Sequence, residues 1–211
     1  MDIRFLVIEG NIGAGKTSLA SKMASDLNAR LVLERFADNP FLPQFYENPD
    51  RFAFPLEMSF LADRYNQLKD ELLQYSLFND LIIADYYFNK SLIFAANTLQ
   101  RDEMHLYRQL FDIIHSKLPR PDLYVYIHRN TNILLEQIKK RGREYEQNIA
   151  ADYLKNIELA YIDFLRHQSD YPALVIDVGN CDFLGDDSCY RKLKTMILGT
   201  DYSKGMNRII F

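Results

Sequence analysis

Cysteine is scarce. The 211-residue chain carries two, Cys181 and Cys189, both toward its C-terminal end. Two are too few for a disulfide framework and neither sits in a metal-like spacing, so both are expected as reduced thiols of a cytoplasmic protein. A basic surplus is also missing. Lys and Arg number 25 against 29 Asp and Glu, a formal net charge of -4. That argues against a general nucleic-acid binder, which needs clustered cations, but not against a small nucleotide ligand, which needs only a few. No apolar run approaches the roughly 20 residues of a membrane span. The stretch FLVI near the start leads straight into glycines, so it reads as a buried strand rather than the core of a signal peptide. Repeats, low-complexity tracts and linkers are absent, which leaves one domain over residues 1–211.

What is present is alternation. Hydrophobic residues make up 48% of the chain, enough for a sizeable core. Runs at Ile3–Glu9, Arg30–Glu34, Asp80–Tyr87, Asp122–His128 and Ala173–Val178 read as strands. Helical stretches fall between them: one after the first glycines, then about 51–74, 90–118, 132–140, 150–166 and 188–198. Strand and helix in turn imply an α/β three-layer sandwich, a five-stranded parallel sheet with helices on both faces. Segments 35–43 and 141–149 are candidate mobile loops. The tail at 200–211 resists assignment, and is expected to dock on the core or on a partner.

The first loop carries the sharpest chemistry. Gly10-Asn11-Ile12-Gly13-Ala14-Gly15-Lys16-Thr17 fits G-x-x-x-x-G-K-[ST], with a strand before it and a helix after. Its glycines let backbone N–H groups turn inward onto phosphate oxygens, and the helix N-terminus adds partial positive charge. Lys16 reaches the outer phosphates and Thr17 offers its hydroxyl to Mg²⁺. The ligand is therefore a nucleoside triphosphate with Mg²⁺. A guanine-reading N-K-x-D is missing, since NKSL at 89–92 lacks the Asp, so a GTPase is not indicated.

A small-molecule kinase needs an acceptor pocket, a base and a cationic lid. Glu34 ends the second strand, at the sheet edge where such folds bind ligands, and could take a proton from an attacking hydroxyl. RGREYEQNI, at 141–149, places Arg141 and Arg143 where they could spread over phosphoryl oxygens. On the helix near 51–74, Glu57, Leu61, Arg64 and Leu68 share one face. An acid and an arginine on an apolar face are costly unless paired with each other or used.

With these motifs the chain resembles the deoxynucleoside kinase family, within the thymidylate-kinase-like P-loop group. The likeness rests on IEGNIGAGKTSL, YENPDRFAFPLE, RGREYEQNIAADYL and IDVGNCDF, and it spans nearly the whole chain. It implies an ATP-dependent kinase for the 5′-hydroxyl of a deoxynucleoside, typically a homodimer. Carried over by position, it implies Glu34 as base and Tyr46 and Glu146 on the sugar 3′-hydroxyl. It puts Ile12 and Phe54 in the pocket wall, Phe94 on the base, and Arg64 near the base or the 5′ end. Arg141 would stabilise the moving phosphoryl group, with Arg143 and Phe183 near the ATP adenine.

Two positions depart from the family pattern. An acid–Arg–Ser run reads Asp85-Tyr86-Tyr87 here. Asp85 could still orient Mg²⁺ through water or compete with Glu34 as base, and Lys90 or the lid would supply the missing charge. A base-reading glutamine is replaced by Glu57. Ionised glutamate only accepts, which suits the adjacent N1–H and N2 amino donors of guanine. Adenine, a donor beside an acceptor, suits a protonated Glu57. The expectation is a purine preference, with deoxyguanosine favoured if Arg64 keeps Glu57 ionised. The rivals are a monophosphate kinase of the thymidylate type, which needs an arginine where Tyr86 stands, and a non-catalytic ATP-binding regulator.

Overall fold

A computed structural model of the chain describes residues 3–35, 39–73 and 81–211. The ends of two expected elements, Gln74 and Asp80, and part of the expected mobile segment at 35–43 lie outside them. Six parallel strands form one sheet: β1 (Phe5–Gly10), β2 (Arg30–Val32), β3 (Ile82–Ala84), β4 (Leu123–His128), β5 (Pro172–Asp177) and β6 (Gly205–Ile210). Their order across the sheet is β2-β3-β1-β4-β5-β6. The helices are α1 (Lys16–Leu27), α2 (Leu42–Glu47), α3 (Pro49–Leu73), α4 (Asn89–Thr98), α5 (Arg101–His115), α6 (Thr131–Arg141), α7 (Ala151–His167) and α8 (Asp187–Leu198).

The three layers follow from strand alternation. Leu6, Ile8, Val125, Ile127, Leu174 and Ile176 face one way, onto Leu19 and Met23 of α1 and Leu193 and Ile197 of α8. Phe5, Val7, Tyr124, Tyr126, Ala173 and Val175 face the other, onto Leu61 and Leu68 of α3, Tyr107 of α5, and Ile157 and Tyr161 of α7. Both faces are buried, so the central strands read as unbroken apolar runs rather than alternating ones.

The structure corrects four expectations. The sheet has six strands, not five: residues 205–210 of the tail pair with β5 from Pro172↔Gly205 to Asp177↔Ile210. This edge strand alternates half-buried and exposed residues, so it lacks the apolar run that marked the others. The helix expected over 90–118 is two helices. Leu99 turns extended (ψ 146°), and Gln100 with Glu103 forms a capping box that starts α5. Residues 42–47, within and beyond the expected loop, form α2, because Pro43 sits in the first turn, where its missing N–H costs nothing. Cys181 and Cys189 are joined as a disulfide, not held as separate thiols.

Candidate active site

β1 delivers the glycine loop. At Gly10 a Cβ would lie 2.9 Å from the Ile127 carbonyl, so β4 packs against bare backbone there. Gly15 has φ +89°, and a Cβ on it would meet the Phe183 ring at 2.8 Å. Only glycine permits both that conformation and that contact. Phe183 therefore lies directly beneath the loop. Arg129, just beyond β4, clamps the arrangement: its guanidinium donates to the carbonyls of Ala14 (3.2 Å), Gly179 (2.8 Å) and Cys181 (2.7 Å). The cleft between loop and clamp is lined by Gly13, Ala14, Gly15, Arg129, Asn180 and Phe183. Asn11 is spent on the fold. Its amide nitrogen donates to the Leu154 carbonyl at 2.7 Å and its amide oxygen accepts from Ile12 N–H, so only its backbone is left for a ligand.

Lys16 and Thr17 open α1 and line both the phosphate-side cleft and a second, deeper cavity. Burial and the neighbouring Lys90 lower the Lys16 ammonium to about 8, against the pull of Glu9 and Glu34. Thr17 donates to Asp85 Oδ2 at 2.5 Å, while Asp85 Oδ1 accepts the Glu34 N–H at 2.8 Å. A hydroxyl and a carboxylate side by side at the phosphate loop suit Mg²⁺, which keeps waters and takes only one or two protein ligands. No larger metal-binding cluster occurs among the described residues.

The deeper cavity is the candidate acceptor compartment. Ile12, Glu34, Phe45, Tyr46, Glu57, Phe60, Arg64, Lys90, Phe94, Arg141, Glu146 and Tyr153 line it. Glu34 enters it from the tip beyond β2, gripped by two cations. Arg64 donates from Nε at 2.9 Å and approaches through Nη2 at 2.8 Å; Lys90 Nζ lies 2.5 Å from the other oxygen. Burial pushes the Glu34 carboxyl up, but Lys90 and Arg64 together outweigh it and hold it at about 2. Position 86, a tyrosine, brings no cation here; Lys90 is one of the two cations that reach Glu34. Tyr86 is fully buried, its hydroxyl without a hydrogen-bond partner among the described residues.

Glu57 lines the same cavity from α3. Leu61, Arg64 and Leu68 follow it down one buried face of α3, as their spacing requires. Glu57 is not paired with Arg64, whose remaining hydrogen bond goes to Ser91 Oγ at 2.9 Å. Instead Thr98 Oγ1 donates to Glu57 Oε1 at 2.9 Å, and the buried Oε2 has no hydrogen-bond partner among the described residues. Burial raises the Glu57 carboxyl to about 7, against the opposing pull of Arg64 and the Thr98 hydrogen bond. Desolvation outweighs the attraction of Arg64, so Glu57 titrates near neutrality and both of its forms are populated there.

The lid follows α6. Gly142, at φ +75°, ends that helix, and a short turn at Glu144–Glu146 follows. Glu146 accepts from Arg141 Nη2 and, at 3.2 Å, from Arg143 Nη1. Tyr145 stacks on Tyr46 with centroids 5.8 Å apart. Arg143 lines the phosphate-side cleft and the acceptor cavity, but not the cleft that holds Phe183. Phe54, half-buried, is absent from the cavity lining, whereas Phe60, six residues further along α3, is part of it. Sequence reasoning did not find Phe45, Phe60, Tyr153, Thr98 or Arg129. Only Thr98 left a local trace, standing one turn past Phe94 on the same helix.

Two compartments meet where Lys16, Glu34 and the lid arginines converge, which defines a P-loop phosphotransferase with its own acceptor pocket. The sequence model described as deoxynucleoside kinase matches residues 6–200, and the chain belongs to that family. It is 34% identical over 193 residues to the deoxyguanosine kinase of Bacillus subtilis (strain 168), covering 90% of this chain and 93% of that protein. It is 30% identical over 191 residues to the deoxyadenosine kinase of Dictyostelium discoideum, covering 90% of this chain and 77% of that protein. Among solved structures, deoxyadenosine kinase from M. mycoides with bound dCTP is similar with a TM-score of 0.75. The match covers 92% of this chain and 99% of that one at 22% identity, a likeness of fold alone. The chain is thus an enzyme that phosphorylates deoxynucleosides from a nucleotide donor. The monophosphate-kinase and non-catalytic alternatives are not favoured.

Proposed function

We propose that the chain moves the γ-phosphoryl group of ATP to the 5′-hydroxyl of a purine deoxynucleoside, with deoxyguanosine preferred. The observation that carries this reading is the buried Glu57, with one oxygen satisfied by Thr98 and the other waiting for a donor. Guanine brings two adjacent donors to that carboxylate, whereas thymine and cytosine each place an acceptor against it. A buried acceptor left unmatched or repelled can cost orders of magnitude in selectivity. The relatives named deoxyguanosine and deoxyadenosine kinases agree with a purine.

In this reading Gly10–Thr17 cradle the triphosphate and Phe183 lies by the adenine. Thr17 and Asp85 would hold Mg²⁺, which when bound offsets charge on the phosphate oxygens. Phe94 stacks on the deoxynucleoside base, and Tyr46 and Glu146 hold the sugar. Arg141 leaves Glu146 to cover the transferring group. Glu34, a carboxylate held at about 2, is a weak base, so it orients the hydroxyl and takes its proton late. That suits phosphoryl transfer through a loose transition state, where positioning and charge neutralisation dominate.

The whole of 1–211 acts as one kinase domain. An open groove between α4 and α7, lined by Leu92, Ile93, Ala96, Ala160 and Phe164, supports a homodimer. Among the described residues no helix is long and apolar enough to cross a membrane. The need for ATP as donor makes the cytoplasm the proposed compartment, where the Cys181–Cys189 bridge would be open to reduction. The test is ADP release with each of the four deoxynucleosides, with their monophosphates, and with neither. Deoxyguanosine should give the highest kcat/KM. Best activity on thymidine would refute the base reading, and activity on monophosphates alone would refute the acceptor reading.

A further inference from the structure

Thr98 has one proton and two acceptors within reach. Its Oγ1 lies 2.9 Å from Glu57 Oε1 and 3.1 Å from the Phe94 carbonyl one turn back on α4. A hydroxyl so placed can serve either protonation state of Glu57. With the carboxyl ionised, Thr98 donates to Oε1. With it protonated at Oε1, Glu57 donates a hydrogen bond to Thr98 Oγ1, which turns its own O–H to donate to the Phe94 carbonyl. In neither state is Thr98 stranded, and in both Oε2 stays available to a ligand.

We propose that Glu57 and Thr98 form a protonation-dependent base selector: ionised Glu57 takes guanine, and protonated Glu57 takes adenine. The atom that decides is N1 of the purine. Guanine N1 carries a hydrogen and needs an acceptor; adenine N1 carries a lone pair and needs a donor. A bare Oε2 meets the first. The second draws the acid proton onto Oε2, while Thr98 returns its own proton to Oε1. The selector rests on the reading of this cavity as a purine deoxynucleoside site.

The surroundings permit the switch near neutral pH. From α3 itself Arg64 favours the charged form, and from α4 Lys90 does so more weakly. Glu34, beyond β2, opposes it. Tyr107 of α5 donates to the Glu57 backbone carbonyl at 3.4 Å, and Tyr153 of α7 lines the same cavity, both held neutral by burial. The lid brings Arg141 and Arg143 to the far wall. Against these, burial places the Glu57 carboxyl at about 7, within the range an assay can scan.

The experiment measures kcat/KM for deoxyguanosine and deoxyadenosine on the native protein from about pH 5.5 to 8.5, and takes their ratio. Groups that serve both substrates cancel in that ratio, so it reports the selector alone. The deoxyguanosine-to-deoxyadenosine ratio should rise about tenfold per pH unit, because one substrate uses the ionised fraction and the other the protonated fraction. Thr98→Val keeps the shape and removes the donor that favours the charged form. It should lower the ratio at fixed pH about tenfold or more. Glu57→Gln should flatten the ratio. A ratio that does not change with pH, in protein that phosphorylates both purines, overturns the selector and leaves the purine kinase reading standing. So does a Thr98→Val ratio equal to that of the native protein. Phosphorylation of pyrimidines alone overturns the purine reading itself.

Discussion

Replacing Glu34 by glutamine should destabilise the folded protein by an amount that depends on pH. Glu34, Arg64 and Lys90 are buried together, with side chains 4–7% exposed. The Glu34 carboxyl sits at about 2 in the folded chain, against an ordinary 4.5. Since the folded value is the lower one, the stabilisation is complete above about pH 4.5 and is lost as pH falls through about 2. At 1.36 kcal/mol per pH unit the shift amounts to about 3 kcal/mol, with about half gone by pH 3. Glutamine keeps the shape, removes the charge and leaves two buried cations without their counter-charge, for which a loss of about 3–5 kcal/mol is usual. For a chain of this size that lowers Tm by roughly 6–15 °C. Calorimetric melts of native and Glu34→Gln protein at pH 7 and pH 3 provide the assay. The difference should be large at pH 7 and about half as large at pH 3. A melting point within about 2 °C of native at pH 7, or a gap that does not shrink in acid, would refute the reasoning.

Glu57 should show the opposite sign. Its folded value, about 7, lies above the ordinary 4.5, so its cost is absent below about pH 4.5 and complete above about pH 7. Glu57→Gln should therefore gain up to about 3 kcal/mol at pH 8 and almost nothing at pH 4.5, as measured by urea unfolding at both values. Arg129→Ala removes the clamp between the phosphate loop and the Phe183 segment, and should raise KM for ATP by about tenfold or more while changing KM for deoxynucleoside much less. Steady-state kinetics check this, and equal rises in both constants would count against the clamp. Cys181→Ser opens the bridge to Cys189 but should raise KM for ATP far less, because Arg129 bonds the backbone carbonyl at that position, which serine retains.

The legible parts of this protein were those whose chemistry is local. The glycine loop announces itself because consecutive glycines and a lysine before a helix have few other uses. Glu34 was legible from its place at a strand tip, and the lid from arginines flanking a helix-ending glycine. The sheet was legible wherever both faces are buried, and failed at β6, whose outer residues meet solvent. Contacts made across the fold left no such trace. Nothing near Lys90 says that it will reach Glu34, and nothing near Arg129 says that it will gather three carbonyls from two loops. Phe54 and Phe60 are equally apolar, so only the packing of α3 decides which one lines the cavity. The balance at Glu57 was only half legible for a related reason. A neighbouring arginine can be read from helical spacing, but the depth of burial that outweighs it cannot.

Asp85 fastens the Thr17 hydroxyl with one oxygen and the backbone that carries Glu34 with the other. The two banks of the cleft, the phosphate loop and the tip beyond β2, are thus moored to a single carboxyl group. Their separation is set by one short side chain, not by the relative drift of two loops. Lengthening that mooring by a single methylene would shift both banks at once, and no compensating change on either side alone could restore their alignment.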